Sequence, residues 1–470
     1  MHSPLAPDWL TRPEDTAVLD SKIFSSGVAR QNGEVKIQGI SVSELVEAFG
    51  SPLWVMDEND FRARARAYLE AFNEAFTPLC GGVDVYYASK ALLTVQVARW
   101  AQEEGMRIDT ASGGEMAIAL RAGILPADIG LHGNNKSDEE LRTAIEYEIG
   151  RIVVDSLAEL HRIENLAAAL GKQANVMLRL TPGVHASTHE HIATAHEDQK
   201  FGLTMTPAPG SESSVAYQAV HFAATAQHIN LIGLHSHIGS QIFDSLGFET
   251  AATRMLEFIA SLAAENIRIA ELDIGGGYGI AYTQADDPVT PSIIAESLAT
   301  HMSTELARLG IDCPRISIEP GRSIAGPAGL TIYTVGTTKT VWVAHDGEHY
   351  PRRYVAVDGG MSDNPRPVLY DADYTAVLAN RVSDAEAVLS RVVGKHCESG
   401  DIVVNAVYLP EDTDHGDLLV VPATGAYGHV MSSNYNMLLR PAIVAIKDGQ
   451  AREIIRRETL DDLFAREVDL

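Results

Sequence analysis

The chain has few cysteines for its length, and they are scattered. Cys80, Cys313 and Cys397 are the three cysteines among 470 residues, and no two of them form a CxxC pair. An odd number of widely spaced cysteines excludes a disulfide framework and a CxxC metal site. It also predicts a reducing, cytoplasmic setting.

Basic residues are scarce relative to acidic ones. Lys and Arg total 36 against 63 Asp and Glu, which gives a formal net charge of −27. This excess argues against nucleic acid or an anionic membrane as a partner. There is no run of 18 apolar residues, and the opening "MHSPLAPDWLTRPEDTAVLD" has no basic segment followed by an apolar one. We therefore expect no transmembrane helix and no signal peptide.

Common nucleotide and metal motifs are also missing. "LDIGGGYG" (272–279) runs into three glycines, but neither GxGxxG nor GxxxxGK[ST] fits the sequence there. "HASTHEHIATAHE" (185–197) holds four histidines and two glutamates without HExxH or a fixed zinc spacing. We therefore predict no metal site, and the role of the glycines depends on their place in the fold.

A repeated alternation of short β-rich runs with Ala- and Leu-rich stretches fills residues 83–321. The eight runs are 83–90, 107–112, 129–133, 151–156, 176–183, 231–240, 271–277 and 315–321. Eight βα units predict a (β/α)8 TIM barrel rather than a doubly wound sheet. The longer gap at 184–230 predicts an inserted loop or an extra helix.

After about residue 326 the pattern changes to short strands broken by Gly, Asp and Pro, which predicts a β-rich second domain. The fold class is thus α/β plus all-β, a TIM barrel with a C-terminal β-rich domain. We assign residues 51–325 to the barrel and 326–470 to the β-rich domain. Residues 1–50 form an N-terminal segment that contributes to the β domain, since 33–41 also has the pattern of a strand.

The ends of the barrel strands carry the residues suited to chemistry. The polar residues there are Lys90, Asp109, His132, Asp155, Arg179, His237 and Glu319. In TIM barrels phosphate is often held by the loops after strands seven and eight. Here these loops are the glycine triplet 275–277 and "EPGR" (319–322), whose backbone N–H groups are open to an anion. A phosphate site opposite an inward lysine suits pyridoxal 5′-phosphate (PLP), although Lys90 alone could be a rim lysine and His237 a core histidine.

The motifs, taken in order, resemble one family. They are "YYASKAL", "DTASGGE", "HSHIGSQI", "DIGGGYG", "EPGRSIAGPAG", "VAVDGGMSDNPRPVLY", "CESGD" and "GAYGHVMSSNYN". Together they resemble the diaminopimelate decarboxylases, which are fold-type III, alanine-racemase-like PLP enzymes. The resemblance extends from about residue 50 to 445.

The resemblance implies a role for each matched residue. Lys90 would hold PLP as a Schiff base, His237 would stack on its ring and Glu319 would pair with the ring nitrogen. The implied cofactor-binding residues are Lys90, Asp109, His237, Ser240, Gly275, Gly276, Gly277, Glu319, Pro320, Gly321, Arg322 and Tyr427. The implied substrate-binding residues are Arg322, Arg366, Tyr370, Glu398 and Tyr427.

The resemblance also implies a reaction and an assembly. Cys397 would act with Lys90 in catalysis by donating the proton that replaces carbon dioxide. Its loop would reach into the neighbouring subunit's site, in a homodimer with shared active sites. The His-rich segment 185–197 would be a loop covering the barrel mouth.

The implied activity is PLP-dependent decarboxylation of meso-2,6-diaminopimelate to L-lysine and CO2, the last step of lysine biosynthesis. One alternative is decarboxylation of another diamino acid, such as ornithine, lysine or arginine. The other is a PLP-binding carrier protein, against which the second domain and Cys397 argue.

Overall fold

The chain forms two compact units in the computed structural model, which describes residues 3–183 and 199–468. One unit is a barrel made of Arg64–Gly279 and Pro288–Gly321. The other unit is a sheet domain made of Met1–Ala63, Ile280–Asp287 and Arg322–Leu470. The domain boundaries assigned from the sequence, after residues 50 and 325, stay a prediction.

Eight parallel strands form the barrel, as the alternation predicts. In chain order, strands one to eight are Val83–Ala88, Arg107–Thr110, Ile129–Leu131, Arg151–Val154, Ala174–Thr181, Ile229–His235, Glu271–Asp273 and Arg315–Ile318. Strand eight pairs with strand one and strand four pairs with strand five, so the sheet closes on itself. The predicted TIM barrel is confirmed.

Helices connect the barrel strands, and their ends follow local sequence rules. They are Glu58–Cys80, Val95–Glu103, Gly113–Ala122, Asp138–Glu146, Leu157–Leu170, Val215–Thr225, Leu246–Ala264 and Pro291–Leu309. Ser112 caps the N-terminus of Gly113–Ala122 by accepting from the backbone N–H of Glu115, and Gly123 ends it in the left-handed region. Among the described residues, no helix is long and apolar enough to cross a bilayer.

The predicted insertion at 184–230 is partly described. It contributes the short strand Leu203–Thr204, which pairs with strand five, and the helix Val215–Thr225. The His-rich segment 185–197, predicted to cover the barrel mouth, lies outside the described residues.

The sheet domain is built around one large sheet. Its strands, from edge to edge, are Ile402–Pro410, Ala387–Val393, Glu348–Val357, Gly329–His345, Leu53–Asp57, Ala442–Lys447 and Gln450–Ile455, and Leu418–Pro422 joins Gly329–His345 to Val377–Leu378. Its helices are Val42–Phe49, Arg322–Ala325, Arg366–Tyr370 and Leu460–Phe464. The β-rich C-terminal part is confirmed.

The N-terminal segment forms a small sheet of its own. Its strands are Val28–Gln31, Glu34–Ile37 and Ile40–Ser41. The stretch 33–41, expected to be one strand, is therefore two strands with a turn at Gln38 and Gly39, where both residues have positive φ. Val35 and Ile37 are buried in the core of the sheet domain.

Candidate active site

A cavity of about 130 Å³ opens at the C-terminal ends of the barrel strands. Its walls include six of the residues that the sequence places at strand ends, namely Lys90, Asp109, His132, Arg179, His237 and Glu319. Asp155, the seventh, is buried but does not line the cavity. Phe201 and His235, which were not predicted from the sequence, also line the cavity.

Lys90 lies in a single turn, Ser89–Ala91, directly after strand one. Ser89 and Ala91 are buried, whereas Lys90 is exposed. The inward lysine expected from the sequence is therefore accessible to solvent. Even so, Lys90 faces the cavity and is close enough to His237 and Glu319 to influence both electrostatically.

His237 is held in its neutral form. Burial lowers the pKa of His237 well below its usual range, and the positive charge of Lys90 lowers that pKa further. Its Nδ1 accepts a hydrogen bond from the backbone N–H of Gly276 at 3.2 Å. A flat, neutral ring is thereby fixed beside the glycine triplet.

A fully buried arginine, which was not predicted from the sequence, lies among the carboxylates of the site. The guanidinium of Arg151 lies 3.1 Å from a carboxylate oxygen of Asp109 and 2.8 Å from one of Asp273. It also stacks 3.4 Å from the ring centroid of Tyr86. Arg151 begins strand four, while Asp109 and Asp273 come from strands two and seven, so only closure of the barrel brings them together.

Glu319 sits among nitrogen atoms that compensate its charge. Its Oε1 lies 2.9 Å from Nε2 of His235, 3.4 Å from Nε2 of His132 and 3.6 Å from the Arg151 guanidinium. Burial and the charge of Asp109 raise the pKa of Glu319, although His132, Arg151 and Lys90 oppose that shift. His132, His235 and Glu319 have ligand atoms within 4.8 Å of one another. The Arg151 guanidinium already provides a positive charge there, which disfavours a metal cation.

The glycine triplet leaves no room for side chains. A Cβ on Gly276 would lie 2.0 Å from the carbonyl oxygen of Glu319, and one on Gly277 would lie 2.1 Å from that of Gly239. Gly275 and Gly277 also have φ of +76° and +107°. The backbone is thus bare where strand seven ends, as an anion site requires.

The end of strand eight packs beside Lys90. The carbonyl of Pro320 accepts a hydrogen bond from the backbone N–H of Ala88 at 3.1 Å, and a Cβ on Gly321 would lie 2.7 Å from the carbonyl oxygen of Ala88. Ser240 is half-buried in the loop after strand six. An amine, a neutral flat ring and a buried carboxylate line one cavity, and a bare glycine backbone lies against the ring. This set of groups fits PLP.

The sheet domain gathers a second set of predicted residues around two arginines. Arg366 is buried, donates to the Tyr374 hydroxyl at 2.6 Å and lies 4.5 Å from the ring centroid of Tyr282. Arg322 donates to the Tyr282 hydroxyl at 2.5 Å and lies 4.6 Å from the ring centroid of Tyr427. Burial raises the pKa of Tyr374 to about 12, so this cluster presents neutral rings to two cations.

The other predicted residues of the sheet domain are at its surface. Tyr370, at the end of the helix Arg366–Tyr370, is 45% exposed, and Cys397 and Glu398 are exposed. Asp401 fixes the start of their loop, because its Oδ2 accepts from the backbone N–H of His396 at 2.8 Å and its Oδ1 accepts from that of Met361 at 2.6 Å. The structure does not bring Cys397 or Glu398 into the Arg366 cluster.

Comparisons with known proteins agree on one family. Residues 59–326 match the family model described as pyridoxal-dependent decarboxylase, pyridoxal binding domain. The chain is 48% identical over 441 residues to the diaminopimelate decarboxylase of Mycobacterium tuberculosis, covering 93% of this chain and 95% of that protein. It is 42% identical over 444 residues to the diaminopimelate decarboxylase of Bacillus subtilis, covering 94% and 97%.

Solved structures support the same family. The crystal structure of diaminopimelate decarboxylase from M. jannaschii in co-complex with L-lysine superimposes with a TM-score of 0.86 at 32% identity, over 94% of this chain and 98% of that one. The chain belongs to the diaminopimelate decarboxylase family of PLP-dependent decarboxylases.

Proposed function

We propose that this protein decarboxylates meso-2,6-diaminopimelate to L-lysine and CO2, the last step of lysine biosynthesis, with PLP held in the barrel cavity. The observation that carries the proposal is the convergence of Lys90, His237 and Glu319 on one cavity beside the glycine triplet. The relatives of the chain are diaminopimelate decarboxylases, one of them solved with L-lysine, the proposed product.

The barrel residues would hold and orient the cofactor. Bound PLP supplies an electron sink for the electron pair left on carbon when carbon dioxide departs. Lys90 provides the amine that attaches it, His237 provides a flat surface against the ring, and Glu319 provides a carboxylate for the ring nitrogen. The phosphate ligands in this proposal are Ser240, Gly275, Gly276, Gly277, Gly321, Arg322 and Tyr427, with Asp109 and Pro320 supporting the same site.

The substrate dictates what the rest of the site must offer. Diaminopimelate carries an amino group and a carboxylate at each end, so the end that does not react needs both a cation and an anion. Arg366 would meet its carboxylate, since a guanidinium fork matches that group, and Glu398 would meet its ammonium. Arg322, Tyr370 and Tyr427 complete the proposed substrate contacts. The Cys397 thiol would donate the proton that replaces carbon dioxide.

The proposal includes an assembly and a location. Cys397 and Glu398 are exposed and free of the Arg366 cluster, which supports their action in the site of a second subunit within a homodimer. Cys80, Cys313 and Cys397 are all free thiols, which supports a cytoplasmic location.

A substrate panel tests the reaction. Purified, PLP-loaded protein is offered meso-diaminopimelate, ornithine, lysine and arginine in turn, and CO2 release is measured with Lys90→Ala as the blank. We expect release from diaminopimelate with kcat/KM well above that for the other three. Preference for ornithine, lysine or arginine would replace the proposed substrate, and PLP binding without CO2 release from any of them would indicate a carrier.

A further inference from the structure

Two cysteines meet at the end of the barrel opposite the cavity. Cys80 is the last residue of the helix Glu58–Cys80, and Cys313 precedes strand eight. Strands one and eight are parallel neighbours in which Val83 pairs with Ile316. Cys80 lies three residues before Val83, and Cys313 lies three residues before Ile316. The register therefore places the two cysteines at matching positions just before neighbouring strands. The two thiols lie close enough for each to shift the pKa of the other.

The surroundings of the pair favour thiol chemistry. Both side chains are half-buried, and the Sγ of Cys80 lies 3.2 Å from the carbonyl oxygen of Gly82. The neighbouring Cys313 side chain lowers the pKa of Cys80 against the opposing effect of burial, and the backbone of Ile316 and the Arg315 guanidinium lower it further. Asp84 holds that guanidinium at 2.8 Å. The pair therefore places a thiol with a lowered pKa beside a second thiol.

We propose that Cys80 and Cys313 are a redox site that forms a reversible disulfide within one chain when it meets hydrogen peroxide. The Cys80 thiolate attacks one peroxide oxygen, the O–O bond breaks, and hydroxide leaves, which gives a sulfenic acid. The Cys313 sulfur then attacks Cys80, and the sulfenic oxygen departs as water. Two thiols lose two electrons and two protons, and one peroxide becomes two waters. A dithiol reductant reverses the reaction by thiol–disulfide exchange.

The bond would join the end of the helix Glu58–Cys80 to the entry of strand eight. It would close a loop that contains almost the whole barrel, and cross-links over long loops restrict the unfolded chain most strongly. We therefore expect oxidation to raise the melting temperature of the protein. The cavity lies at the other end of the strands, so the site is distinct from the one proposed for catalysis.

Peroxide treatment of the PLP-loaded full-length protein tests this proposal. Remaining thiols are alkylated under denaturing conditions and the peptides are mapped. We expect one cross-linked peptide pair containing Cys80 and Cys313, a mass loss of about 2 Da for that pair, and full reversal by dithiothreitol. The same samples should show a higher Tm that returns to its starting value on reduction.

Three variants make the result decisive. Cys397→Ser should still form the bond, because the third thiol takes no part in it. Cys80→Ser and Cys313→Ser should each lose both the cross-link and the peroxide-dependent rise in Tm. Peroxide-treated wild-type protein in which Cys80 and Cys313 both remain alkylatable, or in which Cys80 is over-oxidised without a cross-link, would overturn the proposal.

Discussion

Replacing Arg151 with methionine should destabilise the barrel more than any surface substitution of the same charge. The Arg151 side chain is 0% exposed and lies 3.1 Å from Asp109, 2.8 Å from Asp273 and 3.6 Å from Glu319. Methionine keeps the apolar stem but removes the cation, so three buried carboxylates lose their shared partner. Breaking a buried charge network in this way costs about 3–5 kcal/mol of unfolding free energy.

The pH dependence of that loss has a defined sign. In the wild type, burial alone would raise the pKa of Asp109, but the charges of His132 and Arg151 outweigh it and lower that pKa below its usual range. The ionised Asp109 therefore contributes stability above its unfolded-state pKa of about 3.9, and this contribution is lost as the pH falls. Without Arg151 the folded-state pKa of Asp109 rises. The difference in unfolding free energy between variant and wild type should thus be largest near neutral pH and shrink as the pH falls below ~4.

The assay is urea denaturation of cofactor-free protein followed by far-UV circular dichroism at several pH values. Arg142→Met is the matched control, because Arg142 is exposed on the helix Asp138–Glu146 and its loss changes net charge equally. That control should stay within about 0.5 kcal/mol of the wild type. Arg151→Lys should fall between the two, since a point charge cannot bridge two carboxylates as a planar fork does. Equal stability of Arg151→Met and Arg142→Met would refute the reasoning.

Three further predictions address the proposed site. Gly276→Ala should weaken PLP retention, because its Cβ would lie 2.0 Å from a backbone oxygen. Gly114→Ala should not, because its Cβ would lie 3.8 Å from the Ser112 hydroxyl, and the visible absorbance and Tm of the two variants compare them. Arg366→Ala should lower kcat/KM for diaminopimelate by the equivalent of about 1.5–3 kcal/mol with the cofactor spectrum intact, and an unchanged kcat/KM would reject its role. Lys90→Ala mixed with Cys397→Ala should regain about a quarter of wild-type activity after random subunit exchange, because each mixed dimer has one intact shared site. No regain, once mass spectrometry verifies exchange, would contradict a shared site.

The sequence predicts the barrel well because its signal is local and repeated. Each strand is a short β-rich run followed by a helical stretch, and the polar residue after each run falls at the C-terminal edge where parallel strands end together. Lys90, His237 and Glu319 were found in this way. The glycine triplet was found because bare backbone at the end of strand seven is visible in the sequence itself.

The rest depends on contacts that no local pattern encodes. Arg151 is the first residue of the run "RIVVDS", and a charged residue at the start of a strand is usually exposed to solvent. Only the closure of the barrel places it between Asp109 and Asp273. His235 and His237 are two residues apart in the same segment, and the sequence does not show which of them contacts Glu319. In the structure the contact is made by His235. The exposure of Lys90 was missed because it depends on where strand one stops.

The attachment point of the cofactor tests the central claim most directly. PLP-loaded protein is reduced with borohydride, digested and mapped by mass spectrometry, with Lys90→Ala treated in parallel. We predict that the wild type shows visible absorbance before reduction and that a single labelled peptide carries the reduced cofactor on Lys90. We also predict that Lys90→Ala carries no label. A label on any other lysine, or an equal label on the variant, would contradict a PLP site built around Lys90.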